Sequence, residues 1–250
     1  MRRAVLLCMT LALALPCAAR AQTPASDPKA IQIADQVMRS LGGKKRWDEL
    51  PGLRWTFGSS VNDTVRSSRR HAWNKRTGWH RVEGKTRAGQ SFCFIHEVMT
   101  DKGMAWMDGV AIEGDSLQKL LKRANSLWIN DTYWMLMPYK LRDPGVTLKY
   151  DGEAREGGAV YDKLALTFDN VGETPGDRYW VYVNRTGRRV EKWEMVLQDN
   201  EPPPRAYTWE GWEKHDGLWF PTAHRQDKTV VFTNAVETVK TFGPTEFTAP

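Results

Sequence analysis

Catalysis needs a few reactive side chains brought together, and this chain offers few. Its five histidines, His71, His80, His96, His215 and His224, are well separated, and no two stand at the helical spacing that lets a pair share a metal. His96 and Glu97 are adjacent on an expected strand, so they point to opposite faces and do not work as a pair. His215-Asp216 falls in an expected turn, where Asp serves the backbone. The sequence has no Gly-rich phosphate loop after a strand, no G-x-S-x-G and no H-E-x-x-H. Each histidine is therefore read as structural ahead of catalytic. Of the three cysteines, Cys8 and Cys17 lie in an expected leader and only Cys93 remains. This excludes an intramolecular disulfide and any cysteine-based zinc site. Cys93, between Phe92 and Phe94, reads as a small buried hydrophobe. The expectation is no catalytic residue, no metal and no cofactor.

Arg2-Arg3, the apolar run Ala4 to Leu15 and the small residues of Ala19-Arg20-Ala21 read as a secretory signal peptide over 1–21, cleaved after Ala21. The apolar run is too short to span a membrane. Residues 22–28 read as a linker and 29–250 as one domain, exported and soluble in the periplasm after cleavage. The net charge of +6 includes three arginines of the leader, and both signs are interspersed along the rest. That pattern excludes a nucleic-acid-binding chain. The densest basic group is Arg66, Arg69, Arg70, Lys75 and Arg76. A solvated hairpin is its plain reading, and transient contact with an anionic membrane surface is the sharper alternative.

The remaining sequence reads as the scaffold that must position any site. Asp27-Pro28 starts a helix with a stripe of Ile31, Ala34, Val37, Met38 and Leu41, ended by Gly42-Gly43. Short strands follow. Leu53, Trp55 and Phe57 alternate, and Val65 to Trp73, Trp79 to Thr86 and Ser91 to Met99 read as further strands. Asp108-Gly109 marks a type I′ hairpin. Asp115 caps a central helix carrying Leu117, Leu120, Leu121 and Ala124, and a second apolar segment runs from Asp131 to Pro138. Strands resume at Val146 to Tyr150, Val160 to Phe168, Arg178 to Arg185 and Val190 to Gln198, where Trp193, Met195 and Leu197 share a face. A hairpin turning at Asp216-Gly217 spans Trp209 to Pro221, and Thr229 to Phe232 is the last strand.

Tryptophan is in excess, with twelve in the chain, beside nine methionines. The indoles either fill a thin core or line the concave face of a curved sheet, with Met giving adaptable contacts to an apolar ligand. The binding residues expected on the second reading are Trp55, Phe57, Phe92, Phe94, Trp106, Trp193 and Trp209 on strands, with Tyr133, Trp134 and Met137 on the central helical segment.

The order of helix, strands, helical insert and strands resembles the lipoprotein carrier (LolA/LolB-like) superfamily. The same holds for Leu41-Gly42-Gly43 followed by Trp47, for Trp212 with Asp216-Gly-Leu-Trp-Phe-Pro221, and for Phe247 to Pro250. The uncharacterised exported members are the most similar, with Tyr133 to Gly145 the most distinctive stretch. The resemblance spans the mature chain. It implies a mainly β fold, a curved antiparallel sheet forming a half-open barrel, covered by an N-terminal helix and a central helical lid from Leu117 to Met137. It also implies binding and transfer of lipid or lipoprotein acyl chains without catalysis. For the carriers' lid-loosening arginine, Arg54 and Arg142 are the candidates by position. The alternatives are an envelope protein–protein interaction module and a hydrolase using His96 or His224.

Overall fold

The computed structural model describes residues 25–169, 176–197 and 202–250. The expected signal peptide and residues 22–24 of the linker lie outside them. Helix α1 (Pro28–Ser40) begins with Pro at its first turn, where the missing N–H costs nothing. Its buried stripe is Ala30, Ile33, Ala34, Val37 and then Leu41, with Ile33 in the place expected for Ile31. Asp27 does not cap the helix through its side chain; its carboxylate instead accepts from the Tyr150 N–H. A short helix α2 (Lys44–Glu49), not expected from the sequence, follows. It carries Trp47 onto Tyr139, rings stacked at 4.5 Å.

The strands then run as a meander: β1 (Gly52–Val61), β2 (Thr64–Asn74), β3 (Trp79–Lys85), β4 (Ser91–Glu97), β5 (Gly103–Met107) and β6 (Val110–Ile112). Their hairpins close where expected. Asn62-Asp63 and Asp108-Gly109 both have positive φ at the two central residues, as type I′ turns require. Helix α3 (Gly114–Lys140) interrupts the meander. It is one continuous helix rather than two segments. Asp115 lies inside its first turn rather than at the cap, which is Glu113. A second meander follows: β7 (Val146–Glu156), β8 (Ala159–Phe168), β9 (Arg178–Asn184), β10 (Val190–Val196) and β11 (Arg205–Thr208). The hairpin β12 (Glu213–His215) and β13 (Leu218–Phe220) turns at Asp216-Gly217 as expected. The last strands are β14 (Ala223–Gln226), not foreseen, and β15 (Thr229–Thr238), longer than expected.

Every pairing is antiparallel. The strands order as β14-β15-β1-β2-β3-β4-β5-β6 in one sheet and β11-β10-β9-β8-β7 in the other, with β12-β13 apart. The two large sheets meet edge to edge at Glu210 and Ala223, where Glu210 N–H donates to Ala223 O at 2.9 Å. The result is a pair of curved sheets not closed into a barrel, with β6 and β7 as the far edges.

Helix α3 fills the space the curved sheets leave. Its first half packs Leu117, Leu120 and Ala124 on Val82, Phe94 and Ala105. Its second half carries Met135, Leu136 and Met137 into the main core with Trp55, Val181, Trp193 and Trp209. An apolar girdle all round a helix fits such a plugged position. Tyr139 ties down its end: the hydroxyl accepts from Trp219 N–H at 3.0 Å and lies 3.0 Å and 2.8 Å from the carbonyls of Leu41 and Trp219. The hairpin also needs Gly42, whose φ is +114° and where a Cβ would fall 2.2 Å from Gly217 O.

Candidate functional site

The second half of α3 forms one wall of a cavity of about 550 Å³, a size usual for small-molecule sites. Trp128, Ile129, Tyr133 and Trp134 come from the helix; Val146, Phe168, Tyr179, Trp193, Met195 and Leu197 come from the β7–β10 sheet. The period-2 alternation of β10 puts Trp193, Met195 and Leu197 on this one face. The rings pack on one another: Trp134 meets Trp193 at 4.7 Å, Tyr179 meets Trp193 at 5.2 Å and Tyr133 meets Tyr179 at 5.7 Å. Met99, exposed at 66%, also lines the cavity. The polar lining is sparse: Asn130, Thr132, the ion pair Lys140–Asp143 at 2.5 Å, and Asp177. Asp177 is buried and accepts from the Tyr179 hydroxyl at 3.1 Å. Burial, then the nearby Tyr179, Asp143 and Asp177, pushes the Tyr133 phenol well above its usual range, and burial with Asp177 does the same to Tyr179. Both rings stay neutral.

Of the residues expected at a ligand, Tyr133, Trp134 and Trp193 line this cavity. Phe92 and Trp106 line a more open groove of about 610 Å³ with Arg66, Arg70, Lys85 and Cys93. Trp55, Phe57, Phe94, Met137 and Trp209 line neither and are buried in the core. Trp55 stacks on His71 at 4.5 Å, and Trp209 lies between Trp193 and His224. The lining residues Trp128, Phe168, Tyr179 and Asp177 were not foreseen. The alternation of β10 pointed to Met195 and Leu197, which the sequence placed on the face of Trp193.

The histidines do come together, against the expectation from their separation in sequence. Cross-strand register sets His80 of β3 opposite His96 of β4, and Trp73 of β2 opposite His80. His71 Nδ1 lies 3.0 Å from His80 Nε2, and His80 Nδ1 lies 2.9 Å from His96 Nε2. All three rings are buried. The row ends on Asp131 of α3, whose Oδ2 is 3.0 Å from His71 Nε2, off the line of a good hydrogen bond. Arg69 of β2 clamps the same carboxylate from Nε at 2.5 Å and Nη2 at 2.6 Å. A carboxylate at His71 Nε2 favours a proton there, and each neutral ring then receives at Nδ1 from the next ring's Nε2–H. His96 Nδ1 is left without a partner. Burial lowers all three imidazoles, His80 further through its two histidine neighbours and His96 to about 4. Burial opposes ionisation of Asp131, but Arg69 and His71 outweigh it and hold the carboxyl below its ordinary value.

The row does not converge on a point: His80 uses both nitrogens along it, and no group able to hold a metal occurs among the described residues. What it does is fix α3 to the sheet. Arg54 is bound to Glu237 and Glu246, and Arg142 to Asp35, whereas Arg69 pairs with Asp131 of α3. This also divides the basic cluster. Arg69 turns inward to Asp131, Arg70 pairs with Glu83, and Lys75 lies over the Trp47 ring at 4.9 Å. His224 stands apart, buried between Trp134 and Trp209, and burial pushes it to about 3.

No family model matches the sequence, and no curated protein matches it. Some solved structures are similar to it over most of the chain. A DUF1329 family protein from Desulfovibrio piger superposes with a TM-score of 0.53 at 14% identity, covering 89% of this chain and 98% of its own. A LolA superfamily protein from Nitrosomonas europaea gives a TM-score of 0.46 at 13% identity over 86% and 97%. A domain of an outer membrane lipoprotein-sorting protein from Vibrio parahaemolyticus gives 0.48 at 9% over 88% and 96%. At these identities the likeness is one of fold. Curved antiparallel sheets left open, with a helix laid in the opening, are the architecture that the sequence analysis expected. No helix among the described residues is long and apolar enough to cross a membrane.

Proposed function

We propose that this chain is an exported, non-enzymatic carrier or binding protein that holds an apolar or amphipathic ligand, a lipid or an acylated peptide, between α3 and the β7–β10 sheet. The observation that carries the proposal is the largely apolar, ring-lined cavity of about 550 Å³ between α3 and the β7–β10 sheet, beneath a helix clamped on its other side to β2 by the Arg69–Asp131 pair. Its wall is mostly apolar and carries six aromatic rings, with Met195 as an adaptable contact. Ten methylenes buried there would contribute roughly 8 kcal/mol. Against an association cost of about 4–15 kcal/mol the surplus is at most about 4 kcal/mol, which is millimolar binding, so a longer chain or further contacts are needed for tight binding. The signal-peptide-like leader supports export to the periplasm.

The test is native mass spectrometry, with lipid extraction, on protein purified from its exported compartment, followed by titration with fluorescent acyl probes. A stoichiometric lipid or acylated peptide supports the carrier. Protein that is empty and also fails to bind acyl probes removes it, and a defined complex in cross-linked cells would then favour an envelope interaction module.

A further inference from the structure

The first sheet has a second face. Val82, Phe94 and Ala105 pack toward α3, so the period-2 alternation puts Glu83, Cys93 and Trp106 on the outside. The register sets these three in one row with Arg70, running across β2, β3, β4 and β5. Two residues along the strands lies a parallel row, Arg54 of β1, Ala72 of β2 and Arg81 of β3. The chain's own tail is bound along that second row. Phe242 sits on Gly52, where a Cβ would fall 2.4 Å from the ring. Arg54 holds the Glu246 carboxylate with two bonds of 3.0 Å, and Arg81 donates to the Ala249 carbonyl at 2.5 Å. This face therefore already binds one peptide segment, through an acid side chain and a carbonyl.

The neighbouring row floors the open groove of about 610 Å³, which begins beside Pro250. The groove's lining carries four cations, Arg66, Arg69, Arg70 and Lys85, against one carboxylate side chain, Glu83. Arg69 is engaged by Asp131, and Glu83 is held by both Arg70 and Arg81. Arg66 and Lys85 are exposed and make no ion pair among the described residues. The Thr86 hydroxyl, buried in the same lining, has no hydrogen-bond partner among the described residues, and a buried polar group calls for one. Trp106 stands half-buried at the β5 end. Unpaired cations beside an indole match a partner that carries carboxylates and an apolar side chain.

We infer that this groove docks an acidic, extended segment of a partner protein, laid beside the chain's own tail, with carboxylates on Arg66 and Lys85 and an apolar side chain on Trp106. From β2 to β5 is about 14 Å at the usual strand spacing, which about five extended residues cover. The groove lies on the opposite face of the sheet from α3, so the inference goes beyond the carrier reading and does not depend on it.

The experiment is fluorescence anisotropy with the full mature protein and a rhodamine-labelled nonapeptide made of Glu-Glu-Leu repeats. A second peptide carries glutamine in place of every glutamate. The acidic peptide should bind at least about tenfold more tightly than the glutamine peptide at low salt, and the difference should shrink as salt rises. Arg66→Ser with Lys85→Ser should weaken the acidic peptide by about tenfold or more, and Trp106→Ala should weaken both peptides. Arg87→Ser with Lys228→Ser removes the same charge from exposed positions outside the groove and should change the affinity by less than about twofold. Circular-dichroism melts of the two double variants should coincide with wild type, which separates lost contact from lost folding. Equal binding of the two peptides, no binding of either, or equal weakening in the two double variants overturns the inference. So does protein that ignores both peptides but sediments with phosphatidylglycerol vesicles through Arg66 and Lys85, which would assign the groove to an anionic membrane surface.

Discussion

Replacing Asp131 by alanine tests the clamp between α3 and the sheet. The carboxylate has no exposed surface, and Arg69 exposes only 16% of its side chain. Removing Asp131 leaves a largely desolvated guanidinium without its carboxylate and takes away the acid that lies 3.0 Å from His71 Nε2. Breaking a buried pair by deleting one member costs about 3–5 kcal/mol. A total stability of roughly 5–15 kcal/mol makes this a large share. In urea unfolding, the expected loss is therefore about 4 kcal/mol, and in a thermal melt about 8–16 °C for a domain of this size. The double variant Asp131→Leu with Arg69→Met should recover most of it, since an apolar pair of similar volume replaces the ions without leaving either behind.

The pH dependence gives an independent check. Asp131 has a folded value below 3.8. Its contribution is therefore complete above the ordinary carboxylate range and is lost as pH falls through the lowered value. The gap in stability between wild type and Asp131→Ala should be constant from pH 7 to 5 and narrow below about pH 4. A loss under 1 kcal/mol at neutral pH would refute the clamp. So would a double variant no more stable than Asp131→Ala alone.

The buried histidines predict a second acid limb at higher pH. Unfolded histidine takes a proton near 6.5, whereas folded His96 does so at about 4 and His224 at about 3, so unfolding free energy should fall as pH drops from about 6.5 toward 4. The effect for His96 is roughly 3 kcal/mol when fully developed, and replacing His224 by Phe should flatten the limb measured by urea midpoints. Tyr139→Phe removes the hydroxyl that joins α3 to Leu41 and Trp219; a loss of about 1–2 kcal/mol is expected by chemical denaturation. Met137→Ala, in the core away from the cavity, should cost about 2–5 kcal/mol with little change in acyl-probe affinity. Trp134→Ala, on the cavity wall, should lower affinity more than it lowers the melting temperature, and equal losses in both would count against a binding role for Trp134.

How much of this was legible in the sequence depends on the range of the signal. Local signals held up: the turns at Asp108-Gly109 and Asp216-Gly217, the Pro28 helix start and the Gly42-Gly43 stop all depend on backbone conformation within a few residues. The strand alternation also held, and it correctly grouped Trp193, Met195 and Leu197. The division of α3 into two failed because Ser126, Asn130 and Asp131 resemble a break in sequence. In the structure Asn125 accepts from Met99 N–H and Asp131 is neutralised by Arg69, so tertiary partners satisfy polar residues that would otherwise argue against a continuous helix.

The histidine row shows where sequence reading stops. His71, His80 and His96 are nine and sixteen residues apart in turn, spacings with no local meaning. They meet because two hairpins fold β2, β3 and β4 into adjacent registers that bring His80 opposite His96 and two residues, hence on the same face, from His71's level. A one-residue slip in either hairpin would send one ring to the opposite face. The turns that fix the register are thus part of the site: lengthening the 75–78 or the 86–90 connection by one residue should break the row while leaving each strand's own alternation intact. The Trp excess follows the same logic. Composition alone left the indoles as core or binding surface; in the structure Trp55, Trp193 and Trp209 are all buried, and Trp193 also faces the cavity that Trp134 of α3 lines. The functional face of a curved sheet is therefore decided by long-range pairing, and any assignment of its ligand rests on the side chains that pairing brings to α3.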